Sequence, residues 1–163
     1  MTRRRSSIQL TFACLLVAGL GGCGGNPFGP FAGGRLSAPE AAEPFNNWPA
    51  IAATDTVYLE THPEDPYSVQ MWCIAVGNSL YVPTSLILGD NDPRERTWVR
   101  NVMEDPSVRV QIGEAVYPMR ASRVTSPELQ QALLSAFQEK YAAELPEIDA
   151  HAENAWIFQL TAR

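Results

Sequence analysis

Apolar and polar residues alternate along several short stretches of the chain. The clearest case is the run in which Val108, Val110 and Ile112 alternate with Arg109 and Gln111. A two-residue period is typical of a strand with one buried face. The run therefore predicts a strand that turns its three aliphatic side chains toward a core.

Other extended runs carry the same signal with shorter or less regular alternation. They are predicted at residues 56–60, 67–76, 80–82 with a continuation over 84–88, 115–124 and 155–161. Gly77-Asn78 and Gly113-Glu114 separate neighbouring runs by only two residues, which favours antiparallel hairpins. The run 67–76 is almost continuously apolar, so we expect it either to be buried on both faces or to lie at the interior of a barrel.

A short helix is predicted before the strand at residues 108–112. Trp98, Val102 and Met103 follow one another at helical spacing. Asp105-Pro106 ends this helix, because the residue before a proline is disfavoured in the α region.

A longer helix begins at Ser126, which is a favourable N-cap residue. Pro127 in the first turn and Glu128 at the positive end of the helix dipole strengthen the prediction. The apolar stripe of this helix consists of Leu129, Ala132, Leu133, Ala136, Phe137 and Tyr141. Pro146 bounds the helix on its C-terminal side.

Together these elements predict a mainly β fold with flanking helices. About six antiparallel strands joined by tight turns, with one long amphipathic helix, favour a small barrel on which the helix packs.

The N-terminus has the features of a secretory signal. A basic start at residues 3–5 precedes an apolar run at residues 8–20, which is too short for a membrane-spanning helix of about 20 residues. The exit Leu20-Gly21-Gly22-Cys23 resembles a bacterial lipobox, in which the cysteine accepts a lipid and becomes the first mature residue. The alternative is an ordinary signal peptide with a chance cysteine. The lipobox predicts an exported protein that is lipid-anchored to the cell envelope through Cys23, and Gly24 predicts the outer membrane in a diderm bacterium.

The sequence thus divides into a signal peptide at residues 1–22, a tether at 23–53 and a barrel domain at 54–163. The tether is rich in Gly, Pro and Ala and predicts a flexible or partly extended link. Its aromatic residues either dock on the domain or touch the membrane surface. We expect docking for Phe45 and Trp48, which lie next to the domain, and leave both alternatives open for Phe28 and Phe31.

The charge balance limits the choice of partners. Removal of residues 1–22 leaves nine basic residues against 18 acidic ones, a formal net charge of −9. An acidic surface argues against nucleic acid or anionic lipid as the main partner. Lys140 is the sole lysine of the sequence, so any anion site would depend on arginine.

The cysteines and histidines predict neither a disulfide nor a metal site. Cys14 leaves with the signal peptide and Cys23 would be lipidated, so Cys73 has no partner and is expected to be a small core residue. His62 and His151 are far apart in the sequence and have no neighbours at metal-ligand spacing.

The ordered series of motifs resembles the split-β-barrel flavin-binding superfamily, which includes pyridoxamine-phosphate-oxidase-like and deazaflavin-dependent nitroreductase-like proteins. The resemblance covers about residues 54–161. It rests on Met71-Trp72, Asn78 to Val82, Trp98 to Asn101, Asp105 to Val110, Tyr117, Ala121, Val124, Pro127 to Leu129 and Lys140-Tyr141. It implies a homodimer that binds FMN or deazaflavin at the subunit boundary.

The family holds the cofactor phosphate with polar and basic residues of the second and third strands and the following loop. In this sequence the matching candidates are Thr84, Ser85, Arg94 and Arg96, and Trp98 could stack on an aromatic ring. The alternatives stay open. The two arginines could instead pair with Asp90, Asp92 and Glu95 in a solvated loop, and the tryptophan could belong to the core.

Three functions compete at this point. The first is a lipid-anchored oxidoreductase whose flavin or deazaflavin carries the redox chemistry. The second is a lipoprotein that kept the barrel, lost the cofactor and binds a small molecule or a partner. The acidic turn at Glu64-Asp65 favours the second, because carboxylates repel phosphate. The third is a purely structural lipoprotein.

Overall fold

The computed structural model describes residues 25–84, 92–143 and 155–163. In this part of the chain seven strands form one antiparallel sheet in the order β2-β1-β5-β6-β7-β4-β3. They are β1 Thr56–Thr61, β2 Tyr67–Trp72, β3 Ile74–Val76, β4 Ser79–Pro83, β5 Ser107–Ile112, β6 Ala115–Arg123 and β7 Ile157–Ala162. The sheet curls into a half-barrel, which confirms the predicted fold class.

The strand count exceeds the prediction because the run 67–76 breaks at Cys73. The Cys73 N–H donates to the Tyr141 hydroxyl at 3.0 Å, and its carbonyl accepts from Lys140 Nζ at 2.8 Å. These side chains take the backbone groups that would otherwise extend the ladder, so β2 ends and β3 begins on either side of this residue.

Both predicted hairpin turns are confirmed. Val76 pairs with Ser79 across the first turn, and Ile112 pairs with Ala115 across the second. Gly77 and Gly113 adopt φ values of 59° and 62°, in the left-handed region that favours glycine.

The two helices lie where the sequence predicts them, at α1 Thr97–Glu104 and α2 Pro127–Lys140. Asp105 has extended backbone angles and ends α1, and the Ser126 hydroxyl accepts a hydrogen bond from Leu129 N at 3.2 Å. The apolar stripe of α2 is narrower than predicted. Leu129 and Ala132 are exposed, because the helix packs on the sheet mainly through its second half.

The core has two parts, one on each side of β7. Phe158 belongs to the larger cluster, which also contains Val108, Val110 and Ile112 as predicted. Ile157 belongs to a smaller cluster under α2, with Leu133, Phe137 and Tyr141 as its helical members. The opposite orientations of these neighbouring β7 side chains agree with the predicted strand.

The segment 25–53 lies along the sheet. Gly33 and Ser68 exchange two backbone hydrogen bonds of 2.9 Å, and Glu40 forms a parallel bridge with Val116. Phe45 is buried and packs edge-on against Trp48 at 4.9 Å between ring centroids, so the docking expected of both aromatics is confirmed.

Several predictions fall on residues that lie outside the described part of the chain. They concern the signal peptide, Cys23, the strand continuation beyond Thr84 and the bound set by Pro146. The division into leader, tether and barrel domain stays a prediction. Among the described residues, no helix combines the length and apolar character needed to cross a membrane.

Candidate functional site

A cleft of about 730 Å³ opens between β2, the end of β4, the beginning of α1 and the loop around Gly29. Its apolar lining from β2 includes Val69, Met71 and Trp72. Arg96 and Thr97, at the N-terminal end of α1, contribute polar groups. A cavity of this size, mostly apolar with a few polar groups, is typical of small-molecule sites.

The structure brings together three of the five predicted site residues. Thr84, Arg96 and Trp98 all line the cleft. Arg94 is absent from the lining, and Ser85 lies outside the described residues. The end of β4 and the beginning of α1 therefore border the same cleft, so residues from both elements can contribute to one site.

Arg94 is engaged on the surface. Its Nη2 lies 2.6 Å from Asp92 Oδ2, and its Nε contacts both carboxylate oxygens of the same residue. The hydrogen bonds from Arg94 lower the pKa of Asp92. This pairing is the solvated-loop geometry that the sequence left open, and it closes the 3₁₀ turn Pro93–Glu95.

Arg96 has a different environment. It immediately precedes α1 and caps it through its carbonyl, which accepts from Val99 N at 3.0 Å and Arg100 N at 3.1 Å. Among the described residues Arg96 forms no ion pair, and it lines the cleft next to the positive end of the α1 dipole. Glu95 also lines the cleft and supplies a neighbouring negative charge.

Trp98 is a core residue that also borders the cleft. Its side chain is 4% exposed and packs edge-on against Phe158 at 5.2 Å between ring centroids. This geometry matches the core interpretation, because the indole offers no open face for stacking in this packing.

Thr84 joins the cleft to β7. Its hydroxyl accepts a hydrogen bond from Trp156 N at 3.0 Å, and its N–H donates to the Trp156 carbonyl at 2.8 Å. A hydroxyl that accepts one hydrogen bond still has its own proton to donate. Thr84 is thus a fixed polar group at the cleft wall.

Sequence reasoning missed a polar row on the cleft. Gln70 Oε1 accepts from Gly29 N at 3.2 Å, and Gln70 Nε2 donates to Thr56 Oγ1 at 2.9 Å. All three residues line the cleft, as does Phe31. The available signal was the amide side chain within a mostly apolar strand, but no local pattern could place the glycine loop beside it.

Two other groups lie away from the cleft lining. The turn that carries Glu64 and Asp65 is exposed and contributes no lining residue, so the expected repulsion of a phosphate does not arise from direct contact. Cys73 is buried, and burial raises its thiol pKa to about 11. It has the environment of a core residue and not that of a reactive nucleophile.

The sequence matches a family model described as F420H(2)-dependent quinone reductase over residues 70–146. This range begins in β2, includes the cleft residues of β4 and α1, and extends beyond α2. No functionally curated protein matches the chain.

Several solved structures share the fold. A candidate pyridoxamine 5'-phosphate oxidase from Listeria innocua aligns with a TM-score of 0.52 at 15% identity, covering 70% of this chain and 89% of that one. The haem storage protein HutZ from Vibrio cholerae aligns with a TM-score of 0.53 at 17% identity, covering 71% and 87%. An F420-H2-dependent reductase aligns with a TM-score of 0.50 at 20% identity, covering 66% and 94%. At these identities the likeness is one of fold, and that fold is the split β-barrel.

Proposed function

We propose that this protein is a deazaflavin-binding reductase of the cell envelope that uses cofactor F420. The observation that carries the proposal is the cleft shared by Thr84, Arg96 and Trp98, three residues that lie within the range matched by the F420H(2)-dependent quinone reductase model. When bound, the reduced deazaflavin supplies a hydride, and the protein supplies the pocket and the orientation.

The residues of the cleft fit such a cofactor. The apolar side chains of Val69 and Met71 suit packing against a flat aromatic ring system, and the Gln70 amide between them in sequence is a hydrogen-bonding group of the same strand. Arg96 and the first turn of α1 supply the positive charge that a phosphate needs. FMN also has a flat ring system and a phosphate that could bind to the same residues. The match to the F420H(2)-dependent quinone reductase model is what favours the deazaflavin.

The test is a titration of the purified protein with F420 and, separately, with FMN, followed by the absorbance and fluorescence of each cofactor. We expect saturable binding of F420 that weakens about 10- to 100-fold in Arg96→Ala, as a charged hydrogen bond is worth about 1.5–3 kcal/mol. Arg94→Ala is the matched control, because that arginine pairs with Asp92 and does not line the cleft. A protein that does not bind F420, whether or not it binds FMN, would exclude the proposal.

Lipid attachment and assembly form part of the proposal. Attachment to the envelope through Cys23 is supported by the lipobox-like sequence, and the outer membrane is the destination that Gly24 favours in a diderm bacterium. Mass spectrometry of the N-terminal peptide reads the modification directly. A homodimer is implied by the resemblance to split barrels, and light scattering of the purified protein measures it.

A cofactor-free binding protein is the second candidate. Two observations favour this candidate. The Glu95 carboxylate at the cleft repels phosphate, and the packing of Trp98 against Phe158 leaves no open indole face on which a cofactor ring could stack. A thermal-shift screen separates the two functions. The second candidate predicts stabilisation by small molecules such as haem but not by F420.

A further inference from the structure

Two exposed phenylalanines project from the loop of residues 25–34. Phe28 and Phe31 are 82% and 71% exposed, in contrast to the buried Phe45. They exchange two backbone hydrogen bonds of 3.0 and 3.1 Å around Gly29, whose φ of 56° completes a tight turn. The two rings therefore flank the tip of a small hairpin, which we call the aromatic tip.

Hydrogen bonds within the segment, together with those of Gly29 to Gln70 and of Gly33 to Ser68 on β2, hold this loop in place. Gly34 N donates to the Gly25 carbonyl at 3.1 Å and closes the loop at its base, and Asn26 Oδ1 accepts from Ser37 N at 3.1 Å. A Cβ on Gly33 would fall on the backbone of residues 25–27, so the chain packs closely there. The aromatic tip is thus a fixed projection and not part of a free tail.

The base of this loop lies next to the expected lipid attachment. Only Gly24 lies between Cys23 and Gly25, so the chain can span at most about 7 Å between their Cα atoms and about 18 Å between those of Cys23 and Phe28. No charged residue occurs between Cys23 and Arg35. Nothing in this stretch therefore opposes entry into the headgroup layer, where apolar side chains bury about 5–10 Å deep.

We propose that the aromatic tip, Phe28 and Phe31, inserts into the interfacial layer of the lipid bilayer beside the acyl chains on Cys23. The inference rests on the proposed lipid attachment. The acidic mature chain makes neutral headgroups the fitting surface, and insertion here depends on apolar contact instead of charge. Because Phe31 and Gly29 also line the cleft, the mouth of the cleft then opens beside the membrane.

The experiment uses the full chain, processed and reconstituted in phosphatidylcholine vesicles. Phe28→Cys is labelled with an environment-sensitive dye under native conditions, where Cys73 is buried. Met103→Cys on α1 is the matched control, since Met103 is 60% exposed and does not line the cleft that Phe31 borders. We expect lipid-borne quenchers to quench the dye at position 28 and to leave the dye at position 103 unchanged.

A second measurement follows transfer of the protein between vesicles. Replacement of both tip residues by serine should speed transfer about tenfold or more, because each exposed phenyl ring loses its apolar contact with lipid. Met103→Ser should transfer at the rate of the unmodified protein.

Three outcomes would overturn the inference. With acylation confirmed by mass spectrometry, a dye at position 28 that is quenched as little as the dye at position 103 places the aromatic tip in water. If the dye is shielded from water before vesicles are added, and dilution of the protein removes this shielding, a second copy of the chain covers the aromatic tip. Absence of acylation removes the anchor and the inference with it. Titration of the same sample with F420 tests the proposed cofactor binding independently of these three outcomes.

Discussion

Arg109 Nη1 lies 2.8 and 2.9 Å from the two carboxylate oxygens of Glu60, whose side chain is fully buried. Leu36 N donates to the same carboxylate at 2.7 Å, and Arg35 Nη1 lies 3.7 Å from it. A buried charge is tolerated when it is paired and hydrogen-bonded in this way. The carboxylate therefore joins β1, β5 and the N-terminal segment at one point, and it fixes the segment that leads to the aromatic tip.

Removal of the arginine from this pair should be strongly destabilising. Arg109→Met leaves the Glu60 carboxylate buried without its main counter-charge, and we expect the free energy of unfolding to fall by about 3–5 kcal/mol in urea titrations. The double variant Glu60→Gln, Arg109→Met should recover a large part of this loss. The surface variant Arg94→Ala should leave the urea midpoint unchanged, and an equally small effect of Arg109→Met would contradict the prediction.

Local signals predicted much of the fold because they act over a few residues. The glycine turns at Gly77 and Gly113, the Ser126 cap and the alternation around Val110 each specify structure within one turn or one strand pair. The order of the elements then indicated a small barrel with a helix packed on it, and the resemblance of the ordered motifs to a known superfamily indicated the split barrel.

The missed features depend on residues that are distant in sequence. The break at Cys73 arises from the side chains of the last residue of α2 and of its C-cap, 67 and 68 residues away. The Gln70 row likewise needs the loop around Gly29, 41 residues away. In neither case do the residues next to Cys73 or Gln70 in the sequence indicate the distant partner. The pairing of Arg94 with Asp92, in contrast, was among the alternatives because the two lie close in sequence.

Lys140 should act as a structural cation. Its ammonium donates to the carbonyls of Ile51, Thr54 and Cys73 at 2.8, 2.7 and 2.8 Å. Lys140→Met leaves these carbonyls without their donor, and we expect a loss of about 2–3 kcal/mol in the free energy of unfolding. Glu139→Gln, on the exposed side of the same helix, is the control. An unchanged urea midpoint for Lys140→Met would show that water replaces the ammonium without cost.

The stability of the fold should decline at alkaline pH through Cys73. Burial raises its pKa to about 11 from an ordinary value of 9.0, so the folded protein keeps a proton that the unfolded chain releases. The unfolding free energy is unaffected below pH 9 and falls by about 2–3 kcal/mol between pH 9 and 11. Burial also raises the pKa of Tyr141, which adds to the decline above pH 10.

The variant Cys73→Ala isolates the thiol contribution. Urea midpoints at pH 8, 9 and 10 should decline less steeply in the variant than in the unmodified protein, whatever their difference at pH 8. Parallel curves over this range would mean that the thiol does not cause the alkaline loss.

Gly33→Ala should displace the loop that carries the aromatic tip. The added Cβ meets the backbone of residues 25–27, and overpacking of this kind costs about 1–3 kcal/mol. Because the loop lies at the surface, we expect faster amide hydrogen exchange at residues 26–37 with a smaller effect in the strands. Ala32→Ser, at an exposed neighbouring position, serves as the control. Exchange that rises equally throughout the sheet would contradict a local effect.

Thr84 should stabilise the cleft wall through its hydroxyl. Thr84→Val keeps the shape of the side chain but leaves Trp156 N without the acceptor that now lies 3.0 Å away. An amide that loses its partner in this setting costs about 1–3 kcal/mol, whereas Thr84→Ser keeps the acceptor and should stay close to the unmodified protein. Urea unfolding measures both variants. F420 titration then separates two roles. If Thr84 only supports the cleft wall, Thr84→Val is less stable but the folded variant binds F420 with unchanged affinity. If Thr84 also contacts the cofactor, Thr84→Val binds F420 more weakly and Thr84→Ser binds it normally.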